Sequence, residues 1–374
     1  MEPYEKIYVA KAFLETEHGK IDCTDCHGGN PNDPNWQTAH EGLVKDPTYP
    51  DPQKACGECH PEISTRAPSS LHYTIAPIGQ SIARRMGPAD GNVQAALATA
   101  HDRHCSQCHA SCGQCHVSRP NYVNGGFLAQ HRFQKTPPME TTCASCHGGR
   151  VFGEFTGLNK AITADTHFDD ADMTCMDCHE AAQMHASAKG ITTRLQSVLR
   201  PRCETCHPEA SAEDSDRPAH QIHRRKVACQ VCHAQPVKQC YGCHVGIDAK
   251  GLAYFKCRKT ELGFKIGRNP SPSPERPHTY AVKRHPPITP QTFDFYSPAA
   301  LKQFAKAPTW KDCAPHTIRR ITPQNRSCNN CHGNRDLFLG VSDLAGWEVA
   351  ANAEVVVSDD QLPSPIAEEV RQTN

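Results

Sequence analysis

The feature that most constrains this chain is a five-residue motif, Cys-x-x-Cys-His, which occurs ten times in 374 residues. The ten copies use 20 of the 22 cysteines. These cysteines are Cys23, Cys26, Cys56, Cys59, Cys105, Cys108, Cys112, Cys115, Cys143, Cys146, Cys175, Cys178, Cys203, Cys206, Cys229, Cys232, Cys240, Cys243, Cys328 and Cys331. The histidines that end the motifs are His27, His60, His109, His116, His147, His179, His207, His233, His244 and His332. A chain that repeats one short motif so often is built around whatever that motif binds.

Three chemistries use two cysteines at this spacing. Zinc sites combine two such pairs, redox proteins close them into disulfides, and c-type haem is attached through Cys-x-x-Cys followed by histidine. Zinc would not require a histidine after every pair, and disulfides would leave the histidines without a role. The motif therefore predicts haem, with both thiols bonded to one porphyrin and the histidine reaching its iron from the same side.

With these ten motifs the chain resembles the multihaem c-type cytochromes, here with ten haems, and the resemblance covers residues 18–332. It implies ten covalently bound haem c cofactors. Because haem c is attached after export, it also implies a periplasmic or extracellular location. The partners it implies are other redox proteins: a quinol-oxidising complex on one side, and a terminal reductase, a mineral or another cytochrome on the other.

Thirteen histidines lie outside the motifs, so every iron could take a second histidine from within the chain. The predicted second ligands are His18, His40, His72, His101, His104, His131, His167, His185, His220, His223, His285 and His316. We leave out His278 because it follows the proline-rich stretch 270–277. Iron with two histidine ligands has no position for a substrate. We therefore expect electron transfer in anaerobic or extracellular respiration, and no enzyme activity or catalytic residues.

Two alternative functions stay open. The first is a multihaem oxidoreductase that acts on a nitrogen or sulfur oxyanion. The resemblance implies that such enzymes mark the catalytic haem by a changed motif, and all ten motifs here end in histidine. The second is a subunit that assembles into an extracellular cytochrome filament, for which three surplus histidines would be available.

The composition predicts an unusual core. Hydrophobic residues, cysteine included, make up 37% of the chain and aromatic residues 6%, against a typical apolar share of about 45–50% that also counts glycine. We expect porphyrins to supply the missing apolar volume. The predicted fold is mostly irregular, with loops wrapped on haems and a few short α-helices. The patterns favour helices over 93–104, 190–200 and 297–307, and a short strand over 354–357.

An internal repeat predicts two halves of five haems each. His131 and His316 both lie twelve residues before a motif, and both motifs continue as Cys-His-Gly-x-Arg. His-x-x-His precedes each of the two closely spaced motif pairs. We expect a first half over 1–160, a second over 161–340 with an insertion at about 250–310, and a C-terminal tail over 341–374. Of the readings for that tail, a disordered end is favoured over a docking or filament contact.

Cys257 and Cys313 are the two cysteines outside the motifs. In an oxidising compartment a disulfide between them is the first expectation, and a thiol near one haem is the alternative. Lysine plus arginine equals aspartate plus glutamate at 40 each, which predicts no nucleic-acid partner. No apolar stretch is long enough to predict a transmembrane segment. Residues 1–20 lack the apolar core of a signal peptide, so we expect the numbering to begin near a mature terminus.

Overall fold

The computed structural model describes residues 3–186, 191–196 and 199–367, and it consists mainly of short helices and loops with few strands. The 30 prolines and 24 glycines keep most helices to one or two turns. In the described residues the α-helices are α1 Cys23–His27, α2 Trp36–Ala39, α3 Pro52–Cys56, α4 Pro61–Arg66, α5 Leu71–Thr74, α6 Ala76–Met86, α7 Gly91–His104, α8 Gly113–His116, α9 Ala144–His147, α10 Gly153–Phe155, α11 Thr166–Asp169, α12 Cys175–Cys178, α13 Ala181–Met184, α14 Cys203–Cys206, α15 Pro208–Ser211, α16 Pro218–His223, α17 Cys229–His233 and α18 Val349–Asn352.

Five strands form two small antiparallel sheets. β1 Val237–Ile247 and β2 Ala253–Gly263 make a long hairpin in which Cys243 lies opposite Cys257. β3 Lys265–Arg268, β4 Tyr280–Arg284 and β5 Lys311–Asp312 make the second sheet, in the order β3-β4-β5. The sequence analysis predicted neither sheet.

The chain divides into two compact units. The first comprises Met1–Gly79, Cys105–Gly149 and Thr174–Arg200, and the second comprises Gln80–His104, Arg150–Met173 and Pro201–Asn374. The first unit carries six of the motifs and the second carries four. The two halves expected from the repeat stay a prediction.

The second unit contains a small conventional core around β3 and β4. Ile266 and Val282 lie opposite each other in this sheet and pack with Val231, Phe338 and Val357. A neighbouring cluster consists of Trp310, Leu339 and Val355. The buried residues after 338 show that the expectation of a disordered C-terminal end is wrong for residues 341–367.

The four local predictions have different outcomes. The helix over 93–104 is confirmed as the body of α7. The helix over 190–200 lies partly outside the described residues, and the described part holds only the 3-10 turn Arg194–Gln196. The helix over 297–307 is wrong: Ala299 has a left-handed φ of 52°, and only the turn Phe304–Lys306 is helical. The strand over 354–357 is also wrong, although Val355 accepts a hydrogen bond from the N–H of Arg268.

Candidate functional site

Nine of the ten motifs fold as helical turns or tight turns. In a helical turn residues three apart share one face, so both thiols of a motif are presented together and the histidine follows on the next turn. The motif Cys240–His244 differs because it lies within β1. Residues three apart on a regular strand face opposite sides. Gly242, with a φ of 63°, interrupts that alternation, and both of its flanking cysteines are buried.

Seven motif histidines each face one histidine from outside the motifs. The pairs, with the distance between ring centres, are His27 and His131 at 5.9 Å, His60 and His18 at 6.1 Å, His116 and His185 at 6.0 Å, His147 and His72 at 6.2 Å, His207 and His167 at 6.2 Å, His233 and His220 at 6.2 Å, and His332 and His223 at 6.0 Å. The partners within a pair are between 13 and 109 residues apart in the sequence. The fold therefore brings these rings together repeatedly at one separation.

That separation has a simple chemical meaning. A metal–nitrogen bond of about 2.0 Å, with about 1.1 Å from the nitrogen to the ring centre, puts two imidazoles on opposite sides of one metal about 6.2 Å apart. Every observed pair lies within a few tenths of an ångström of that value. Rings stacked face to face in direct contact lie closer, as in the 3.9 Å stack of His18 on Phe133. The seven pairs thus have the spacing of two ligands to one intervening metal.

Hydrogen bonds at Nδ1 orient several of the motif histidines. The Nδ1 atoms of His27, His116 and His233 lie 2.7, 2.6 and 3.2 Å from the carbonyl oxygens of Val44, Gln134 and Arg319 respectively. In each case the N–H of the same residue donates back to the histidine carbonyl. His332 uses the carbonyl of Ser364, at 3.0 Å. A carbonyl at Nδ1 fixes the tautomer and leaves Nε2 available to a metal.

Burial favours the neutral form of six of the paired histidines. Burial, with the facing imidazole of His147 as a second cause, lowers the pKa of His72 to about 4. Burial likewise lowers the pKa values of His18, His131, His185 and His220. The side chain of His72 is nevertheless exposed to solvent. The neutral imidazole is the form that binds a metal.

His167 is the exception among these pairs. Its Nδ1 lies 2.8 Å from a carboxylate oxygen of the buried Asp165, and this hydrogen bond raises the pKa of His167 despite partial burial. The other carboxylate oxygen of Asp165 accepts a hydrogen bond from the N–H of Ile318, at 2.8 Å. A carboxylate in this position makes the imidazole a more basic ligand.

The two His-x-x-His segments end up in different arrangements. His220 and His223 lie on α16 and face two different motif histidines, His233 and His332. His101 and His104 lie at the end of α7. The hydroxyl of Tyr296 lies 2.8 Å from Nε2 of His104, the nitrogen that a ligand would use. His101 lies 3.6 Å from the carboxylate of Asp102.

His285 is not placed as the sequence predicts. It is 1% exposed, and its Nδ1 lies 2.7 Å from the carbonyl of Cys240. Its Nε2 lies 2.5 Å from the carboxylate of Glu348. Both ring nitrogens are therefore engaged, and neither is available to a metal. Tyr241 stacks on the same ring at 4.4 Å, so His285 belongs to a buried polar cluster beside the ninth motif.

Two other predicted ligands, His40 and His316, do not belong to the seven pairs. His40 is exposed, and its Nδ1 lies 2.5 Å from the carbonyl of Trp36. His316 lies against Phe155, and its Nδ1 is 3.0 Å from the carbonyl of Ala314. His278, which we left out of the ligand set, uses Nε2 to reach the carbonyl of Arg224 at 3.0 Å.

Three motif histidines complete the set. His179 has Gln183 Oε1 3.0 Å from its Nδ1. His244 is exposed on β1. His109 is half-buried, and its ring neighbours in the described part of the chain are Tyr49, at 4.2 Å, and Tyr73, at 5.0 Å. Neither nitrogen of His109 has a hydrogen-bond partner there.

The expected disulfide between Cys257 and Cys313 is wrong, because both residues are thiols in the structure. Cys257 lies on β2 opposite Cys243, and its thiol contacts that of Cys240. Cys313 packs instead against the cluster of Val231, Ile266, Val282, Phe338 and Val357. Cys257 thus lies on the first sheet, whereas Cys313 directly follows β5 beside the second.

The described residues contain no group of three or more His, Cys, Asp or Glu side chains that could hold a metal ion by themselves. A zinc site of the kind that pairs two Cys-x-x-Cys motifs needs four such ligands. At seven of the motifs the arrangement is instead one of two facing histidines beside the two thiols of the motif.

The sequence analysis missed the carbonyl groups that orient the motif histidines. Val44, Gln134, Arg319 and Ser364 act through the main chain, which every residue possesses, so side-chain identity carries no signal for them. Asp165 could have been found, because it lies two residues before His167 and an aspartate there can reach Nδ1.

Comparison of the chain with protein-family models, with curated proteins and with solved structures finds no match. Across the described ranges, none of the helices combines the length and the apolar character that a membrane crossing requires.

Proposed function

We propose that this protein transfers electrons, holding ten haem c groups through its ten Cys-x-x-Cys-His motifs. The observation that carries the proposal is the set of seven histidine pairs at 5.9–6.2 Å, each joining one motif histidine to one other histidine. Haem iron supplies one-electron chemistry, alternating between its ferric and ferrous forms. Two histidine ligands per iron suit that role because they leave no position for a substrate.

The residues present fit the group. Each of the seven pairs combines two thiols at fixed spacing with a motif histidine on one side and a second imidazole on the other. Burial favours the neutral form of the second imidazole, for example in His72 and His131. Carbonyls at Nδ1 hold the motif rings in place, as Val44 does for His27. The polypeptide therefore fixes the orientation of the ligands and limits the access of solvent. Both of these properties tune the reduction potential of a haem.

A hydrogen bond that recurs beside two motifs supports the proposal that eight of the ten motifs arose by duplication of a set of four. We call these eight motifs the duplicated framework. The N–H of Ala110, two residues before Cys112, donates to the carbonyl of His72. The N–H of Val227, two residues before Cys229, donates to the carbonyl of His223 in the same way. In this correspondence the fourth motif matches the eighth, whereas the sequence repeat paired it with the ninth.

The remaining matches of the framework are visible in the sequence. The first and sixth motifs share Cys-x-Asp-Cys-His, the second and seventh share Cys-x-x-Cys-His-Pro-Glu-x-Ser, and the fifth and tenth share Cys-His-Gly-x-Arg. The third motif, at Cys105, and the ninth, at Cys240, have no counterpart. We propose that these two were added to a duplicated set of four.

The cellular role extends the proposal. Because haem c is attached outside the cytoplasm, we place the protein in the periplasm or outside the cell. There it would pass electrons between a quinol-oxidising complex and a reductase, a mineral or another cytochrome. Assembly into a filament would keep the same chemistry.

Mass spectrometry and spectroscopy of the purified protein test the proposal. The mass should exceed that of the polypeptide by ten haems, and the oxidised protein should show the near-infrared absorption of iron with two histidine ligands for most of them. A mass without haem, or with zinc in its place, would refute it. The variant His18→Ala should convert one haem to a single-histidine form, whereas His278→Ala, the control, should convert none.

A further inference from the structure

The third motif, Cys105–His109, differs from the seven motifs whose histidines face another imidazole. His109 is surrounded by Tyr49 and Tyr73 instead. All 23 histidines lie within the described residues, and none of the ring contacts found there joins His109 to another histidine. This motif is also one of the two without a counterpart in the proposed duplicated framework.

Neither tyrosine takes the place of the missing histidine. The ring centre of Tyr49 is 4.2 Å from that of His109, which is direct contact and leaves no room for a metal between them. A second ligand across a metal would lie about 6 Å away or more. The hydroxyl of Tyr73 donates to the carbonyl of Pro50, at 2.8 Å. Both tyrosines therefore pack against the imidazole ring of His109, and neither occupies the position of a second ligand.

The two ring nitrogens of His109 are nevertheless in the state expected of a metal ligand. Its Nδ1 and Nε2 atoms are both buried and lack a hydrogen-bond partner. Leaving a buried imidazole without any partner is costly, and a bond from one nitrogen to a metal removes that cost.

We infer that the iron held by the third motif has one position open to an external ligand, so that this site binds a small iron-binding molecule. The inference rests on the proposed function, since it requires haem at Cys105 and Cys108. It adds a binding site to a protein whose seven paired sites are closed to ligands. The ligand class is a diatomic molecule or small anion that coordinates haem iron, and carbon monoxide and cyanide are the probes.

Titration of the reduced ten-haem protein with carbon monoxide tests this. The expected uptake is at least one equivalent per chain, supplied by the third motif. The double variant Cys105→Ala/Cys108→Ala should carry nine haems and bind one equivalent fewer. The matched variant Cys56→Ala/Cys59→Ala loses a haem that lies between His60 and His18, and its uptake should equal that of the wild type.

No uptake by the wild type, or an uptake that the Cys105→Ala/Cys108→Ala variant leaves unchanged, would overturn the inference. A second measurement does not depend on any variant: the oxidised wild type should show a minor high-spin ferric signal that cyanide abolishes. Absence of that signal would also contradict an open position. The haem count by mass stands apart from both results, so a ten-haem protein that binds no carbon monoxide would disprove the open site and leave electron transfer intact.

Discussion

The Nδ1 atom of His332 lies 3.0 Å from the carbonyl oxygen of Ser364, which connects the tenth motif to the C-terminal segment. The N–H of the next residue, Gly333, donates to the carbonyl of Pro363 at 2.8 Å. The segment that sequence patterns favoured as a disordered end therefore helps to orient a ligand. Removal of this segment should therefore change the properties of the tenth motif as well as the overall stability.

Deletion of residues 359–374 should loosen the tenth site. His332 and Gly333 lose their acceptors, which costs about 1 kcal/mol for each hydrogen bond. A ligand whose Nδ1 is not hydrogen-bonded to a carbonyl is less basic, so the potential of that haem should rise. Thermal unfolding and a redox titration would measure both effects. Deletion of residues 368–374 keeps Pro363 and Ser364 and serves as the control, which should change neither.

The two histidines of α16 should act independently. His220 faces His233 and His223 faces His332, so His220→Ala and His223→Ala should each open one haem to carbon monoxide. The double variant should bind two equivalents more than the wild type. If both histidines served one iron, the double variant would gain only one equivalent.

The buried pair of His285 and Glu348 should make stability depend on pH. Burial alone would raise the pKa of Glu348, but the hydrogen bond from His285, with smaller contributions from Thr309 and Ala345, lowers it overall. A lowered carboxyl pKa stabilises the fold above the unfolded value of 4.5, and this stabilisation is lost as the pH falls through the lower folded pKa.

Glu348→Gln should therefore lower the free energy of unfolding at pH 7 by about 2–3 kcal/mol, because a buried charge-assisted hydrogen bond is lost. The variant should also show a weaker decline in stability below pH 4.5 than the wild type. Urea unfolding at several pH values would measure this. Equal slopes for the two proteins would show that Glu348 does not supply the dependence.

Cys257 and Cys313 should both react as thiols. The structure places Cys257 on β2 and Cys313 against the cluster around β3 and β4, without a disulfide between them. Alkylation of the unfolded haem-loaded protein without reductant should add two groups, detected by mass. If neither cysteine reacts, the result would favour the disulfide that the oxidising compartment led us to expect.

Residues that are close in the sequence were predictable. The motif spacing alone identifies which two thiols and which histidine lie together, because residues three and one apart stay close in space in a turn and in the strand β1 alike. The helix ending in His101 and His104 was predictable for the same reason, and α7 confirms it. The second sheet was not predictable, because its core forms only when β3, β4 and the segment around Val357 meet.

The partner of each motif histidine depended on tertiary structure. The sequence supplies thirteen candidates for the second position, and imidazoles are chemically identical whatever their position in the chain. Only the fold separates His223, which faces His332, from His285, whose nitrogens bind Cys240 and Glu348. By itself the sequence determined where the paired thiols and the histidines that follow them lie along the chain. The long-range packing decided which histidines meet, because a distance of 6 Å between residues far apart in sequence is a property of the whole fold.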